Sequence, residues 1–475
     1  SSVVYSPANG STLSTAGDIQ IIATYTRDDM TVSTVMTIHV AELVSLAFTT
    51  APTKTKYSIG GTLDMSGSVL LATWDNDSTE NVTSSVVYSP ANGSTLSTAG
   101  DVTVTASYTK GGVTVTAMTT IIVNAIQIIQ IFGVSWNYGN SSPALTRLTT
   151  DNDSIVNTDI STSPSPAIGT GSGSSPFDSI YPWSEMEEYN VADNAITYKQ
   201  GDSGFSRSNE VVVKLSKFYY KVVDDSSTST RKFYISDNET DGFTLHPAFN
   251  RAGVIKDAIY VGKYSTGTGH VSKTGLAPLV NLTRASFRTN AASKGSKWSQ
   301  WDYASWCAIC LLYLVEFANW DSQTMIGQGV VNTSAAVANG GTDGMAYHTG
   351  RSSGTDGSVS VQYRHIENLW GNIYQWVDGI NFSSDECYVC TNPAQFADDT
   401  ASNYTDIGAK GSNNGWISGL SYLSSYPYAL LPGTAYGSSS TFTPDYYYRN
   451  SGWRVLRVGG NRSSTSNAGL FCFSS

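Results

Sequence analysis

A tandem repeat occupies the first quarter of the chain and restricts what that part can fold into. Residues 1–18 (SSVVYSPANGSTLSTAGD) recur unchanged at residues 84–101, an offset of 83 residues in a chain of 475. The match continues beyond the identical block, since Tyr25 corresponds to Tyr108 and Val40 to Val123. A fixed period of this kind marks a tandem array, so we expect neighbouring copies of one small structural unit.

Within the repeat, apolar and polar residues alternate. Residues 102–107 (VTVTAS) have the period of a half-buried strand. Residues 110–112 (KGG) then provide a turn into the apolar run at 113–123. Short strands separated by Gly, Asn and Pro turns at intervals of about ten residues predict a β-sandwich.

Three further segments of this region indicate a family. Residues 51–57 (APTKTKY), 60–64 (GGTLD) and 71–74 (LATW) resemble the bacterial Ig-like domains that occur in tandem on surface and phage proteins. The resemblance implies one full domain over residues 44–125. Residues 1–43 match only the second half of the repeat, so we expect them to form the C-terminal half of another such domain. Domains of this kind are usually spacers without chemistry of their own.

The pattern changes after residue 131. Residues 161–175 (STSPSPAIGTGSGSS) predict a flexible connection or loop. Residues 211–223 alternate like one long strand. Residues 334–357 predict a long glycine-rich loop.

Two helices are also predicted. One covers residues 282–293, and a stronger one covers residues 301–320. The apolar positions of the second form one stripe, which consists of Trp306, Ile309, Cys310, Tyr313 and Phe317. Strands mixed with two helices and large irregular insertions predict an α+β domain.

The most specific motif is at residues 367–379 (ENLWGNIYQWVDG). It resembles the G-N-x-W-E-W-V signature of the C-type lectin fold, in the subclass named after formylglycine-generating enzymes. Residues 452–460 (GWRVLRVGG) resemble the R-x-x-R-G-G segment of that subclass. More closely, residues 132–475 resemble phage tail proteins that are targeted by diversity-generating retroelements. Further landmarks of that family occur at residues 177–188, 201–207, 245–249, 312–321 and 445–448.

This resemblance implies a C-type lectin-like variable binding domain over residues 126–475. The expected fold class is therefore multidomain, with all-β Ig-like sandwiches followed by an α+β C-type lectin domain. In the family, the segment after the double glycine is hypervariable, because retroelement mutagenesis rewrites adenines, mostly in AAC-type codons. Asn, Ser, Thr, Tyr, Arg, Cys and Phe can all be reached from such codons.

The resemblance thus implies a ligand-binding variable face near the end of the chain. Its expected members are Asn461, Arg462, Ser463, Ser464, Ser466, Asn467, Cys472 and Ser474, with Tyr446, Tyr447 and Tyr448. The alternative is an ordinary polar loop, which is also rich in Ser and Asn. Relatives usually continue to a closing strand beyond this point, so we expect the chain to carry only part of the face.

Repeated substitution is tolerated only where something else fixes the backbone. We expect Trp376, Trp453, Arg454, Gly459 and Gly460 to act as the scaffold. Core side chains are expected at Trp453, Val455, Leu456, Val458, Leu470 and Phe471. Short polar groups and tyrosines would then supply adaptable hydrogen bonds and rigid contact area, as in antibody paratopes.

Composition excludes several classes of partner. The net charge of -11 and the lack of a basic stripe argue against nucleic-acid binding. No run of 18 or more apolar residues occurs, so we expect no membrane insertion. Charged residues make up 14% of the chain, where about 25% is usual. Low charge with 28 Tyr and 43 Gly is typical of extracellular or virion β-rich proteins.

The five cysteines include two C-x-x-C pairs, which raises the alternative of a zinc site. Cys307 and Cys310 fall in the stronger predicted helix. Cys387 and Cys390 fall in a predicted strand, where an i, i+3 pair points to opposite faces. Buried free thiols are therefore the prediction.

The subclass name suggests an oxidase, but its motifs are incomplete. Formylglycine-generating enzymes need a close cysteine pair late in the domain, where only Cys472 occurs. A metal motif H-x-x-x-H-x-E fails because Val361 stands at its first position, ahead of His365 and Glu367. The three acids of residues 185–188 could pair as in glycoside hydrolases, but surface roles are commoner. No cofactor is expected, and no D-x-D-x-D loop supports the calcium that this fold often binds.

The sequence as a whole predicts a phage adhesin of the tail fibre or tail tip, located on the virion and extracellular. It would bind a host cell-surface receptor, protein or glycan, through the variable face, and would contact other virion tail proteins. A homotrimer is expected by analogy with relatives. One alternative is a bacterial surface-displayed variable binding protein. The other is a formylglycine-type or metal-dependent oxidase.

Overall fold

The computed structural model describes residues 2–124, 129–409 and 411–475. The chain is mostly β, with 38% of its residues in strands and 9% in helices. It divides into two compact units, Ser1–Ile128 and Ile129–Ser475. The expectation of a β-rich chain with more than one domain is confirmed at this level. The predicted boundary between residues 125 and 126 lies outside the described residues.

The strands of the first unit, within its described residues, are β1 (Val3–Ser6), β2 (Gly17–Arg27), β3 (Met30–Val40), β4 (Leu43–Thr50), β5 (Lys56–Ser58), β6 (Val69–Trp74), β7 (Thr79–Asn81), β8 (Val87–Ser89), β9 (Gly100–Lys110) and β10 (Val113–Asn124). They form three sheets, in the orders β1-β2-β3, β4-β6-β7 and β5-β10-β9-β8. Neighbouring strands are antiparallel except for β5 and β10, which are parallel.

The two copies of the repeat form the same arrangement in the same register. Val4 of β1 faces Thr24 of β2, and Val87 of β8 faces Ser107 of β9, which is the same pairing displaced by one repeat. The surroundings of the two copies differ. Ala106 of β9 is buried in a cluster with side chains of the sheet β4-β6-β7, whereas the equivalent Ala23 is half-buried. The second copy is therefore a two-layered β structure with its own core.

The helices of the second unit are α1 (Arg284–Ser293), α2 (Tyr303–Phe317) and α3 (Ser322–Ile326). Its described strands are β11 (Ile131–Asn137), β12 (Thr146–Arg147), β13 (Ala167–Ile168), β14 (Glu188–Ala192), β15 (Ala195–Lys199), β16 (Glu210–Ser216), β17 (Tyr219–Asp225), β18 (Thr230–Ser236), β19 (Thr244–Leu245), β20 (Asn250–Arg251), β21 (Val254–Ile255), β22 (Ala258–Gly262), β23 (Gly350–Arg351), β24 (Val361–Tyr363), β25 (Ile366–Glu367), β26 (Gln375–Ser383), β27 (Glu386–Val389), β28 (Thr405–Ala409), β29 (Gly415–Trp416), β30 (Gly419–Leu420), β31 (Pro432–Thr434), β32 (Tyr446–Tyr448), β33 (Trp453–Val458) and β34 (Phe473–Ser474).

The largest sheet of the second unit has seven strands in the order β28-β27-β26-β33-β34-β32-β29. It brings the ENLWGNIYQWVDG motif, which leads into β26, next to β33, and β34 pairs with the other edge of β33. A five-stranded sheet has the order β12-β11-β18-β17-β19, and two four-stranded sheets have the orders β15-β14-β16-β22 and β13-β23-β24-β25. Two-stranded sheets pair β20 with β21 and β30 with β31.

Helix α2 lies within the main core of the second unit. Its first turn is capped by Asp302, whose carboxylate accepts from the amide of Ser305 at 3.0 Å. At its other end, the guanidinium of Arg147 donates to the carbonyls of Val315 and Glu316, both at 2.7 Å, which satisfies groups that a helix end leaves unpaired. The helix predicted at 301–320 is confirmed, but the single apolar stripe is wrong. Every residue from Tyr303 to Phe317 is buried, so all faces of the helix contribute to the core.

Other local predictions are confirmed or corrected. The helix expected at 282–293 is α1. The single long strand at 211–223 is wrong, since β16 ends at Ser216 and β17 begins at Tyr219. Nor are residues 161–175 a free connection. Ala167 is buried, and β13 pairs in parallel with β23, which lies inside the predicted 334–357 loop.

Candidate functional site

The double glycine after β33 forces a sharp change in chain direction. Gly459 and Gly460 have φ values of 83° and 76°, a left-handed conformation that favours glycine. A Cβ on Gly459 would lie 2.6 Å from the carbonyl oxygen of Leu369, and one on Gly460 would lie 2.8 Å from the Cβ of Ala468. Both positions therefore combine a strained conformation for other residues with close packing.

The seven residues that follow, Asn461 to Asn467, form what we term the 461–467 loop. Its backbone is attached to neighbouring segments by main-chain hydrogen bonds. The amide of Arg462 donates to the carbonyl of Asn372 at 3.0 Å, and its carbonyl accepts from the amide of Thr333 at 2.9 Å. The amide of Thr465 donates to the carbonyl of Val331 at 3.0 Å. None of these bonds depends on which side chains the loop carries.

Asn372, in the ENLWGNIYQWVDG motif, connects the loop to its support. Its side chain is buried, accepts from the amide of Val337 at 2.8 Å and donates to the carbonyl of the same residue at 3.0 Å. The neighbouring Trp370 is fully buried, and its indole N–H donates to the carbonyl of Gly327 at 3.0 Å. Motif residues thus fix the backbone against which the loop lies.

The segment after the loop, which contains Leu470 and Phe471, is also held in place by hydrogen bonds and packing. The carboxylate of Asp445 accepts from the amide of Phe471 at 2.6 Å, and burial raises the pKa of Asp445 well above its usual range. The amide of Leu470 donates to the hydroxyl of Ser322 at 2.9 Å. The ring of Phe471 packs edge-on against Trp320, with centroids 4.8 Å apart. Both flanks of the loop are therefore part of the core.

Most of the predicted face lies at the surface of this unit. Ser463 and Ser466 are exposed, and Asn461, Arg462 and Asn467 are partly exposed. The partly exposed rings of Tyr446 and Tyr448 lie beside the loop, with centroids 4.5 Å apart. The Asn467 side chain donates to the Tyr448 hydroxyl at 2.8 Å.

Four members of the predicted face are misplaced by the sequence interpretation. Cys472, Ser474 and Tyr447 are buried because β34 lies between β33 and β32 in the seven-stranded sheet. Ser464 is also buried. Its hydroxyl accepts from the amide of Asn461 at 2.9 Å and donates to the Asn461 side chain at 3.1 Å, so it shapes the turn from inside.

The scaffold predictions also need correction at one end of β33. Trp453 was expected in the core but is 36% exposed, and its ring lies near Tyr388 with centroids 5.8 Å apart. Arg454 is exposed, and the contact found for its guanidinium within the described residues is the carbonyl of Trp453. Val455 was also expected in the core but is only partly buried, and within β33 the buried residues are Leu456 and Val458, towards the double glycine. Trp376 is partly exposed, with its indole N–H bonded to the carbonyl of Leu282 at 3.0 Å.

A groove of about 1340 Å³ opens beside the 461–467 loop. Asn461, Arg462 and Ser463 line it on the loop side. It is also lined by Tyr374, Trp376, Arg457, Trp298 and Lys297. We refer to this feature as the groove.

Sequence reasoning missed two residues of this surface, Thr465 and Arg457. Thr465 is exposed and belongs to the same polar run, so its position was an available signal. Arg457 lies opposite Trp376 across the β26–β33 pairing, and its guanidinium carbon is 4.7 Å from the centroid of the Tyr374 ring. No local pattern indicates that pairing, because the two strands are far apart in the sequence.

The groups considered for catalysis are engaged elsewhere. Glu188 is buried in an ion pair with Lys263 at 3.0 Å and accepts from Arg207 at 2.7 Å. Burial lowers the pKa of His365 to about 4, and its ring bonds Glu188 at 3.1 Å. Glu367, by contrast, accepts from the hydroxyl of Thr342 at 2.7 Å.

All five cysteines are buried. Burial raises the pKa of Cys307 to about 12, which disfavours the thiolate that a metal or an oxidant would need. Among the residues that the structure describes, no group of three or more His, Cys, Asp or Glu side chains is placed to hold a metal ion. Within the same ranges, no helix has both the length and the apolar character required to cross a bilayer.

Comparison of the chain with models of known protein families and with curated proteins found no match.

Proposed function

We propose that this protein is a receptor-binding adhesin of a phage tail fibre or tail tip. It contacts a host cell-surface receptor through the 461–467 loop and the groove beside it. The observation that carries the proposal is the division of roles within the C-terminal segment. Main-chain bonds and packed glycines hold the loop, while its side chains at 461–463 and 465–467 are at least partly exposed.

This division suits a site whose side chains change while its fold does not. Substitution of an exposed side chain usually alters stability by no more than about 0.5 kcal/mol. Exposed Asn, Ser, Thr and Arg beside Tyr446 and Tyr448 offer hydrogen bonds and rigid aromatic area, the mixture found in antibody paratopes. We therefore take the loop as the variable segment written by a diversity-generating retroelement.

The same proposal assigns a role to each unit. The second unit is a C-type lectin domain that holds the loop, and the first is built from Ig-like spacers. Identical strand register in the two repeat copies supports the reading of tandem spacers. The chain would act on the virion, outside cells, as a homotrimer in contact with other tail proteins and without a cofactor or enzymatic activity. Many copies on one particle would strengthen individually weak contacts.

The test is binding of the labelled full chain to a panel of bacterial strains, measured by flow cytometry. Ser463→Tyr, Thr465→Tyr and Ser466→Tyr each fill part of the exposed surface of the loop. The matched control is Ser226→Tyr, an exposed serine in the turn between β17 and β18 that does not line the groove. We expect the loop variants to lose or redirect cell binding while their thermal unfolding stays unchanged, and the control to bind like the parent chain. Loop variants that bind the same strains equally well would refute the proposal.

Neighbouring genes separate this proposal from a bacterial surface protein that carries the same binding site. A reverse transcriptase beside tail genes supports the phage adhesin. A reverse transcriptase beside genes for surface anchoring, without tail genes, would indicate instead that the protein is displayed on a bacterial surface.

A further inference from the structure

The acidic side chains that line the groove are already engaged. Glu210 forms an ion pair with Lys294, and Asp302 forms one with Arg251 at 2.5 Å. Glu367 is buried and accepts from the amide of Gly340 at 2.9 Å and from the Thr342 hydroxyl. These carboxylates are therefore unavailable to a positively charged ligand.

Lys294 and Arg251, which also line the groove, are the partners of these acids, but other cationic side chains of the groove are not balanced in this way. Within the described residues, no carboxylate lies within 4.0 Å of the side chains of Arg457, Arg462 or Lys297. Arg457 is partly buried, donates to the hydroxyl of Ser474 at 3.1 Å, and lies 4.7 Å and 5.6 Å from the ring centroids of Tyr374 and Trp376. Although the chain carries a net charge of -11, the unpaired charge in its groove is positive, which complements an anion.

The remaining lining favours a carbohydrate over a peptide as the carrier of that anion. Trp298 and Trp376 are both partly exposed in the groove. Flat indole faces pack well against the C–H face of a sugar ring. The Lys294 ammonium lies over one face of Trp298, 3.5 Å from the ring centroid, so a sugar would pack on the other face. The side-chain amide oxygens of Asn194 and Asn461 already accept hydrogen bonds within the chain, which leaves their NH2 groups to donate to sugar hydroxyls. The volume of about 1340 Å³ exceeds the roughly 300–1,000 Å³ of small-molecule sites, so it suits several linked sugars.

The geometry points to an acidic polysaccharide as the ligand of the groove. Arg457 and Arg462 pair with carboxylate or phosphate groups carried along the chain, while Trp298 and Trp376 pack against its sugar rings. This inference rests on the proposed function, since it names the chemical class of receptor for the same site. Both carboxylate and phosphate fit a guanidinium, whose planar N–H groups match their oxygens.

The test measures binding of the full chain to four immobilised polymers. Polygalacturonate supplies carboxylates and poly(glycerol phosphate) supplies phosphates, whereas dextran is a neutral glycan and polyglutamate is an acidic peptide. We expect binding to at least one of the first two, little to dextran or polyglutamate, and marked weakening as NaCl rises from about 0.05 M to about 0.5 M. Equal binding to polyglutamate would contradict the assignment of a glycan as the ligand. Binding to neither acidic glycan would overturn the inference.

Arginine variants test the assignment of residues. We expect Arg462→Gln and Arg457→Gln each to weaken binding by about tenfold to about a hundredfold, because each removes a charge-assisted hydrogen bond. Arg457→Lys, which keeps the charge, should retain part of the affinity. The control is Arg454→Gln, an exposed arginine of the same strand that does not line the groove, and it should bind normally. Normal binding by Arg462→Gln would contradict the inference.

The two proposals fail in different ways. If the tyrosine variants of the loop lose cell binding while Arg462→Gln and added salt have no effect, the adhesin stands and the acidic ligand is wrong. If the tyrosine variants bind cells normally, the adhesin itself is wrong.

Discussion

The main-chain amide of Arg462 donates a hydrogen bond of 3.0 Å to the main-chain carbonyl of Asn372. One residue belongs to the exposed loop and the other to a buried turn ninety positions earlier in the sequence. Because the bond joins two backbones, replacing the Arg462 side chain leaves it intact. The conformation of the loop is thus determined mainly by residues outside it.

Two adjacent serines in the loop should differ in how much the same substitution destabilises the protein. Ser463→Tyr should change the free energy of unfolding by less than about 0.5 kcal/mol, because Ser463 is exposed. Ser464→Tyr should destabilise by about 1–3 kcal/mol, because it forces a ring into a buried position and removes the hydroxyl that bonds Asn461. Urea unfolding of both variants provides the measurement. Equal effects at the two positions would show that the loop is not divided into a face and a support.

The first residue of the double glycine should tolerate no side chain. Gly459→Ala introduces a Cβ 2.6 Å from the carbonyl oxygen of Leu369, in addition to the strain of a positive φ. Gly452→Ala is the matched control, since its φ of 78° imposes similar strain but its nearest atom would be 3.8 Å away, in the side chain of Arg454.

We expect Gly452→Ala to lower the free energy of unfolding by about 1 kcal/mol and Gly459→Ala to lower it by at least about 2 kcal/mol more. Thermal and urea unfolding measure both values. A Gly459→Ala variant no less stable than Gly452→Ala would contradict the close approach.

A buried ion pair in the core should be sensitive to loss of one partner. Arg364 donates to Glu316 at 2.6 Å, and both side chains are almost completely buried. Glu316→Gln should destabilise by about 3–5 kcal/mol, because the buried guanidinium then keeps, among the described residues, only the partly exposed carboxylate of Asp178 at 3.2 Å as a counter-charge. The carboxylate of Asp257 is 91% exposed and pairs with Lys217. Asp257→Asn breaks this exposed pair and should lower the free energy of unfolding by about 1 kcal/mol or less. Similar losses in the two variants would mean that Arg364 is solvated.

His39 should make the first unit sensitive to pH. Its ring contacts Asp18 and Asp75, both at 2.7 Å, and hydrogen bonds to these carboxylates raise the pKa of His39 above its ordinary value of 6.5. A pKa raised on folding gives stability that is fully present below pH 6.5 and is lost as pH rises through the raised value. The hydrogen bond with His39 also lowers the pKa of Asp75 below 3.8. The stability that the ionised Asp75 contributes is therefore present above pH 3.8 and is lost as pH falls through the lowered pKa.

An NMR titration of the His39 ring in the full chain tests this expectation. We expect a pKa above 6.5 that moves towards 6.5 in Asp18→Asn and in Asp75→Asn. Titration at or below 6.5 in the parent chain would contradict the bridging geometry. His39→Ile, which introduces the residue found at the equivalent Ile122 of the second copy, should remove the alkaline loss of stability.

Local sequence patterns predicted the elements whose causes are local. Period-two alternation indicated β9, the glycines of residues 110–112 (KGG) indicated the turn into β10, and the pattern at 301–320 indicated α2. Each of these follows from propensity, patterning or φ preference within a few residues.

Positions that depend on distant pairing could not be predicted in the same way. Cys472 and Ser474 have residue types suited to a variable face, yet they are buried because β34 enters the middle of a sheet, parallel to β32 and antiparallel to β33. Trp453 has the character of a core residue but lies where β33 reaches solvent. The groove depends on Arg457 meeting Trp376 across two strands. The register between strands is determined by the whole sheet, so a short stretch of the sequence does not indicate it.

Sequencing this locus across related isolates tests the central claim most directly. We expect amino-acid differences to concentrate at positions 461–463 and 465–467, with Gly459, Gly460 and Asn372 unchanged, because those positions are exposed on a backbone that these three residues hold. Differences scattered evenly along the second unit, or as frequent at the three supporting residues as in the loop, would contradict the claim that the loop is a variable binding face.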